Sequence, residues 1–230
     1  MVKSLVYIKI HKCSSTSIRD LIEDCASKNN LKCVKQRRPG PINWWENCKN
    51  DKWDLNNPPY NVFARHQPYD IDFFKNFMES PIYVTFLRNP LERAISCYYS
   101  QDVPPYNSTI SFEQWYATNK LTSPPSLAGG RLVLTHNFMS YMLGFYSLKE
   151  INADNLRKRY RFIGFTECFN ESVKKLEDVL GWKFNKKLID IKIRKNKNKP
   201  KIVLSEKFKN TFKENNDLDY KLYQLSKEVY

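Results

Sequence analysis

Hydrophobic positions along this chain keep switching between two periods. Leu5-Val6-Tyr7-Ile8, running on to Ile10, is apolar and rich in β-branched residues, which predicts a short buried strand. The period then lengthens, and Ile18, Leu21, Ile22 and Cys25 fall on one helical face. Residues 31–34 predict a short edge strand and 60–64 a further strand. Residues 69–78 predict a helix that buries Ile71, Phe74, Phe77 and Met78. Residues 81–87 are apolar on both faces, the pattern of a central strand with parallel neighbours. A helix follows from Pro90. Another is capped at Ser111 and turns Phe112, Trp115 and Tyr116 inward. Residues 160–165 predict a core strand, with Thr166 capping the helix after it; amphipathic helices over 204–215 and 218–230 finish the chain. Strands alternating with helices place the chain in the α/β class.

Polar turns interrupt this pattern at informative places. The first strand breaks into His11-Lys12-Cys13-Ser14-Ser15-Thr16-Ser17 before the first helix. A strand, polar turn and helix in that order aim backbone N–H groups and a helix N-terminus at one spot, which attracts an anion. Lys12 adds a full charge, and Ser14, Ser15, Thr16 and Ser17 add hydroxyl donors. The nucleotide triphosphatase loop G-x-x-x-x-G-K-[ST] is absent: this turn has no glycine and its lysine precedes the small residues. A nucleotide kinase fails on the same ground. Taken alone, the turn reads equally well as a helix N-cap run with a solvated lysine.

The strand over 81–87 runs into Arg88-Asn89-Pro90-Leu91-Glu92-Arg93-Ala94-Ile95-Ser96-Cys97-Tyr98-Tyr99. Pro90 suits the first helical position, where a missing N–H costs nothing. Arg88 leaves the strand end, and Ser96 lies two turns into the helix. An arginine fork with a hydroxyl suits a terminal phosphate. Arg93 either touches ligand, supports the loop, or pairs with Glu92 or Glu167. Between the two turns, the strand over 60–64 ends in Arg65-His66-Gln67-Pro68. A histidine at a core strand end sits where open α/β sheets keep their chemistry, and it titrates near neutrality. An isolated histidine of this kind is more often half-buried and bonded to backbone.

Residues 11–17 resemble the 5′-phosphosulfate loop of sulfotransferases that use 3′-phosphoadenosine 5′-phosphosulfate (PAPS). The match holds at Lys12, Ser15, Thr16 and Ser17. It departs at Cys13, usually Thr, and at Ser14, usually Gly or Ala. The segment from Arg88 resembles the family's 3′-phosphate motif, R-[DN]-P-x-x-R-x-x-S-x-Y-Y, over nearly every specified position. Two motifs in the right order, separated by a histidine, are far more specific than either alone. The chain is similar to the PAPS-dependent carbohydrate sulfotransferases, nearest to the heparan sulfate 2-O-, uronyl and galactose-3-O type.

That resemblance implies one sulfotransferase domain over residues 1–230: a P-loop-like α/β fold with a central, mostly parallel sheet flanked by helices. It implies PAPS as sulfuryl donor and in-line transfer to a glycan hydroxyl, with no metal required. Lys12 and residues Cys13, Ser14, Ser15, Thr16 and Ser17 would hold the 5′-phosphosulfate, with Lys12 also meeting the charge of the leaving group. Arg88 and Ser96 would hold the 3′-phosphate. Arg194 and Lys195, in the basic run 192–201, would close over the adenosine; a solvated loop is an equal reading of that run. His66 matches the place of the general base, ahead of His136. Asn137 matches an asparagine that contacts sugar in relatives.

Composition narrows the partners only in part. The 230 residues carry a formal charge of +14, which favours polyanions without choosing among them. An anionic carbohydrate or another hydroxyl acceptor is expected, and no specific nucleic acid. Trp44 and Trp45, in the irregular stretch 36–59, suit sugar rings as well as they suit pinning the loop, and Arg65 is a further acceptor candidate. The six cysteines show no C-x-x-C pair and read as reduced, with disulfides if the protein is secreted. No apolar run is long enough for a transmembrane helix. The compartment stays open: the cytoplasm is favoured as given, the Golgi lumen if an anchor has been removed. The competing reading is a non-catalytic polyanion-binding protein, for glycan or RNA, on a sulfotransferase-like fold.

Overall fold

The computed structural model describes residues 2–36, 53–99, 111–118, 136–189 and 202–230. Its strands are β1 (Leu5–Ile8), β2 (Lys35–Gln36), β3 (Trp53–Asp54), β4 (Val62–Arg65), β5 (Ile82–Leu87) and β6 (Phe162–Phe165). Its helices are α1 (Ser15–Lys28), α2 (Ile71–Lys75), α3 (Pro90–Tyr98), α4 (Phe112–Thr118), α5 (Phe138–Met142), α6 (Ala153–Arg159), α7 (Phe169–Leu180), α8 (Glu206–Asn215) and α9 (Asp217–Val229). Among the described residues, no helix is long and apolar enough to cross a membrane.

Four strands form a parallel sheet in the order β4-β1-β5-β6. All four residues of β1 are buried, as are Tyr83 to Leu87 of β5, so both middle strands read as continuous apolar runs. Ile8 pairs with Arg65 of β4 on one side and Thr85 of β5 on the other. The chain therefore leaves β1 for β4 at one edge, then returns to β5 on the opposite side of β1. The gap between β1 and β5 is a topological switch point, where open α/β sheets bind ligands at the carboxyl ends of their strands. Thr85, fully buried, donates its hydroxyl to the Ile8 carbonyl at 2.8 Å and ties the two strands together there.

Side-chain fit explains the flanking layers. Helix α1 buries Ile18, Leu21, Ile22, Cys25 and Ala26, the face its period predicts. Gly164 of β6 lies opposite Phe86. A Cβ at Gly164 would come within 2.6 Å of the Phe86 ring, so glycine is what lets β6 close on β5.

Three local expectations are corrected. Helix α2 spans only five residues: the Asp70 carboxylate caps its start by accepting from the amides of Asp72 and Phe73, and Asn76 caps its end. Its first turn faces water and Ile71 is 43% exposed, whereas Phe74, Phe77 and Met78 are buried. The edge strand over 31–34 shrinks to one parallel bridge, Cys33 to Val62. The next residues turn away, and β2 pairs antiparallel with β3. Thr166 does not cap α7. Its hydroxyl donates to the Leu87 carbonyl at 3.1 Å, and the helix begins after Cys168.

Candidate active site

The turn after β1 is tightly wound. Lys12 and Ser14 both hold left-handed backbone, with φ of 65° and 54°. For non-glycine residues this costs roughly 1–2 kcal/mol each. Left-handed residues interleaved with ordinary ones gather successive N–H groups into a concave anion site. Ser14 is the N-cap of α1, yet its side chain caps nothing, and the first turn of the helix carries no acidic residue. The N-terminal amides of a 14-residue helix thus open at the switch point with no acidic residue in their own turn. Lys12, Ser14 and Ser17 are half-buried, Thr16 is exposed and Ser15 is buried. Cys13 points the other way. Its thiol is fully buried and burial pushes its pKa up, so a ligand can meet Cys13 only through its backbone.

The turn after β5 is held by side chains. Asn89 accepts from the amides of Leu91 and Glu92 at 3.1 and 3.2 Å, capping α3. Its own amide donates to Glu167 at 2.6 Å. Arg88 is half-buried and lies 3.4 Å from Glu92. Arg93 is not that partner. It is fully buried, lies over the Phe138 ring at 5.2 Å and sits 3.8 Å from the Cys97 sulfur. Asp219 of α9 faces its charge. Ser96, one residue before Cys97, is also buried. The two turns leave adjacent parallel strands, and the charges of Arg93, Arg88 and Glu167 reach the buried Cys13 thiol.

His66 follows β4 and stands on the other flank of the first turn. The Lys9 amide donates to the Arg65 carbonyl at 3.1 Å, extending the β1–β4 ladder by one step. The chain beyond each strand therefore leaves the same edge. The imidazoles of His11 and His66 stack there, with centroids 3.9 Å apart and planes 11° from parallel. Phe138 lies 6.1 Å from His11 on a tilted plane. Three turns, after β1, β4 and β5, thus converge on the switch point.

A model of the galactose-3-O-sulfotransferase family matches residues 1–228, a span that takes in all three turns. The chain belongs to the galactose-3-O-sulfotransferase family. The family is one of carbohydrate sulfotransferases, so a glycan is the kind of acceptor it implies. No curated protein matches the chain.

The remaining candidates of this galactose-3-O-sulfotransferase family member fall into two groups. Arg65, His136 and Asn137 are already engaged. Arg65 pairs with Glu23 of α1 and donates to the Ala64 carbonyl at 2.9 Å. His136 stacks on Tyr116, with centroids 4.8 Å apart. Asn137 is bound to the start of α9: its amide donates to Asn216 at 3.0 Å and its Nδ2 to Asp217 at 3.3 Å, while its Oδ1 accepts from the Asp219 amide at 3.1 Å. That clasp ties Asn137 to the start of α9. Trp44, Trp45, Arg194 and Lys195 lie outside the described residues.

Three residues have roles that the sequence does not indicate. Glu167, which the sequence offers as a partner for Arg93, braces the second turn by accepting from the Asn89 amide. Asp219 is fully buried and accepts from the amides of Met139 and Ser140 and from the Ser140 hydroxyl, at 3.2, 2.7 and 2.8 Å. Burial pushes its carboxyl up, against the pull of Arg93 and these donors. Nothing in the local pattern around Asp219 marks it. His11 opens the turn 11–17, but its stack on His66 has no mark in the sequence.

Proposed function

We propose that this chain is one catalytic domain that transfers a sulfuryl group from PAPS to a hydroxyl of a glycan, with His66 as general base. The observation that carries the reading is that the turns after β1, β4 and β5 leave the same end of the sheet, bringing Lys12 and the open start of α1, the His66 imidazole stacked on His11, and Arg88 to one side of it.

The residues present fit PAPS. Lys12 and the uncapped amides of α1 form a cradle for the 5′-phosphosulfate, with the hydroxyls of Ser14, Ser15, Thr16 and Ser17 at its rim. Arg88 offers a guanidinium fork at the second turn and Ser96 a hydroxyl from α3, the chemistry that suits a 3′-phosphate. When bound, PAPS supplies the sulfuryl group and a phosphate leaving group. The chain's own work is then positioning and charge stabilisation. Lys12 and the helix N-terminus are fixed before any charge develops, so they stabilise it without reorganising. His66 accepts the proton of the attacking hydroxyl on one ring nitrogen and carries it as imidazolium. The Arg88–Glu92 pair keeps the fork extended from the strand end, ready to exchange a surface carboxylate for a phosphate.

The test is sulfate transfer from labelled PAPS to galactose-terminated oligosaccharides. Wild-type protein should turn over. His66→Ala should lose roughly 10²-fold or more in kcat, the scale of a general base, at an unchanged melting temperature. Full activity in His66→Ala would remove that residue from its role. Binding of sulfated glycans without turnover would favour a non-catalytic polyanion binder.

A further inference from the structure

We propose that His11 is a positioning residue for His66: its imidazole is the flat wall that holds the base in one orientation beside the donor turn. The proposal rests on the reading of His66 as base.

The geometry excludes the more obvious role for a second histidine. Centroids 3.9 Å apart and planes 11° from parallel describe rings lying face to face. Ring nitrogens donate and accept in the plane of the ring, so two stacked imidazoles form no N–H···N bond with each other. His11 therefore does not take the proton directly from His66.

A stack does fix a plane. The χ2 torsion of histidine is broad and roughly two-fold, so a ring at the end of a strand is poorly oriented by its own backbone. Here the His66 ring has a rigid face against it. His11 is in turn packed near Phe138, and Phe138 carries the buried Arg93 guanidinium on its ring. That second contact leads back to the turn after β5, because Arg93 belongs to α3. The sequence supplies the other half of the coupling. His11 adjoins Lys12, so the wall and the cradle belong to the same short turn after β1. Any shift of the cradle carries the wall with it, and the base keeps its aim at the donor. Orientation of this kind governs rate steeply, since a misplacement of about 1 Å costs on the order of 10²-fold.

The experiment uses the full chain with His11→Ala, His11→Phe and His66→Gln. His11→Ala should lower kcat by roughly 10- to 100-fold, with little change in affinity for adenosine 3′,5′-bisphosphate, because Lys12 and the α1 amides remain. His11→Phe restores a flat wall and should recover most of the lost turnover. A second readout is independent of activity. The Cε1 proton of His66, assigned by its loss in His66→Gln, should resonate upfield under the ring current of His11. It should move downfield in His11→Ala and stay upfield in His11→Phe. The proposal is overturned if His11→Ala turns over within about twofold of wild type, if Ala and Phe variants lose activity equally, or if the His66 resonance does not move. Wild-type protein that transfers no sulfate would overturn the base assignment itself, while the resonance still reports whether the stack exists.

Discussion

Lys9 is a lysine buried just before the first turn, and replacing it is the sharpest test of the electrostatics there. It is 6% exposed, and among the described residues its ammonium has no hydrogen bond or ion pair. Burial lowers its pKa from 10.5 to about 8, helped by Arg19 and Arg65 and opposed by Asp20 and Glu23. At about 1.4 kcal/mol per tenfold change, that drop corresponds to roughly 3 kcal/mol, and to about 2 kcal/mol once residual water contact is allowed for. The sign follows from proton counting. Between about 8 and 10.5 the unfolded chain holds the Lys9 proton and the folded chain has released it, so stability rises with pH across that window. Below it the full penalty stands. Lys9→Met keeps the stem and removes the charge. It should stabilise the fold by about 2 kcal/mol at pH 7, with the gain shrinking towards zero as pH approaches 10.5. Urea denaturation of both proteins at several pH values, read as a midpoint difference at constant slope, measures this. A Met variant no more stable at pH 7, or a gain that does not shrink with pH, refutes the reasoning. A cation kept at such a cost next to the proposed donor turn fits the usual conflict between stability and function.

Two further substitutions probe the frame. Ser14→Gly removes left-handed strain of roughly 1–2 kcal/mol and adds unfolded-chain entropy of roughly 0.5–1 kcal/mol, so a net gain of about 0.5–1 kcal/mol is expected; a lower melting temperature contradicts it. Asp219→Ala strips a buried acceptor from two amides and a hydroxyl and removes a negative charge that acts on buried Arg93. It should cost about 3 kcal/mol or more in urea denaturation, and a loss under about 1 kcal/mol would show that the pair is not coupled.

The sheet was legible because its middle strands are apolar on both faces and its turns break that pattern sharply. Residues 5–8 and 82–87 could hardly be read otherwise. Helix α2 was overread: Ile71 fits the helical period, but period alone cannot say which turn a cap leaves in water. The two turns were legible through residue types at fixed spacing, while the struts behind them were not. Glu167 reaches Asn89 across 78 positions of sequence and Asp219 reaches Ser140 across 79. Contacts of that range leave no local signature. The stack of His11 on His66 belongs to the same class. It depends on two strands being paired in register, which no periodicity near either histidine reveals.

The central claim is that the turns after β1 and β5 hold opposite ends of one doubly phosphorylated adenosine. Calorimetric titration with adenosine 3′,5′-bisphosphate and with adenosine 5′-monophosphate, on wild type and Arg88→Ala, tests it most directly. Wild type should prefer the bisphosphate by roughly tenfold or more, the worth of a charge-assisted fork, and Arg88→Ala should lose that preference while still binding the monophosphate through Lys12. Equal affinity for the two nucleotides in wild type would contradict the account.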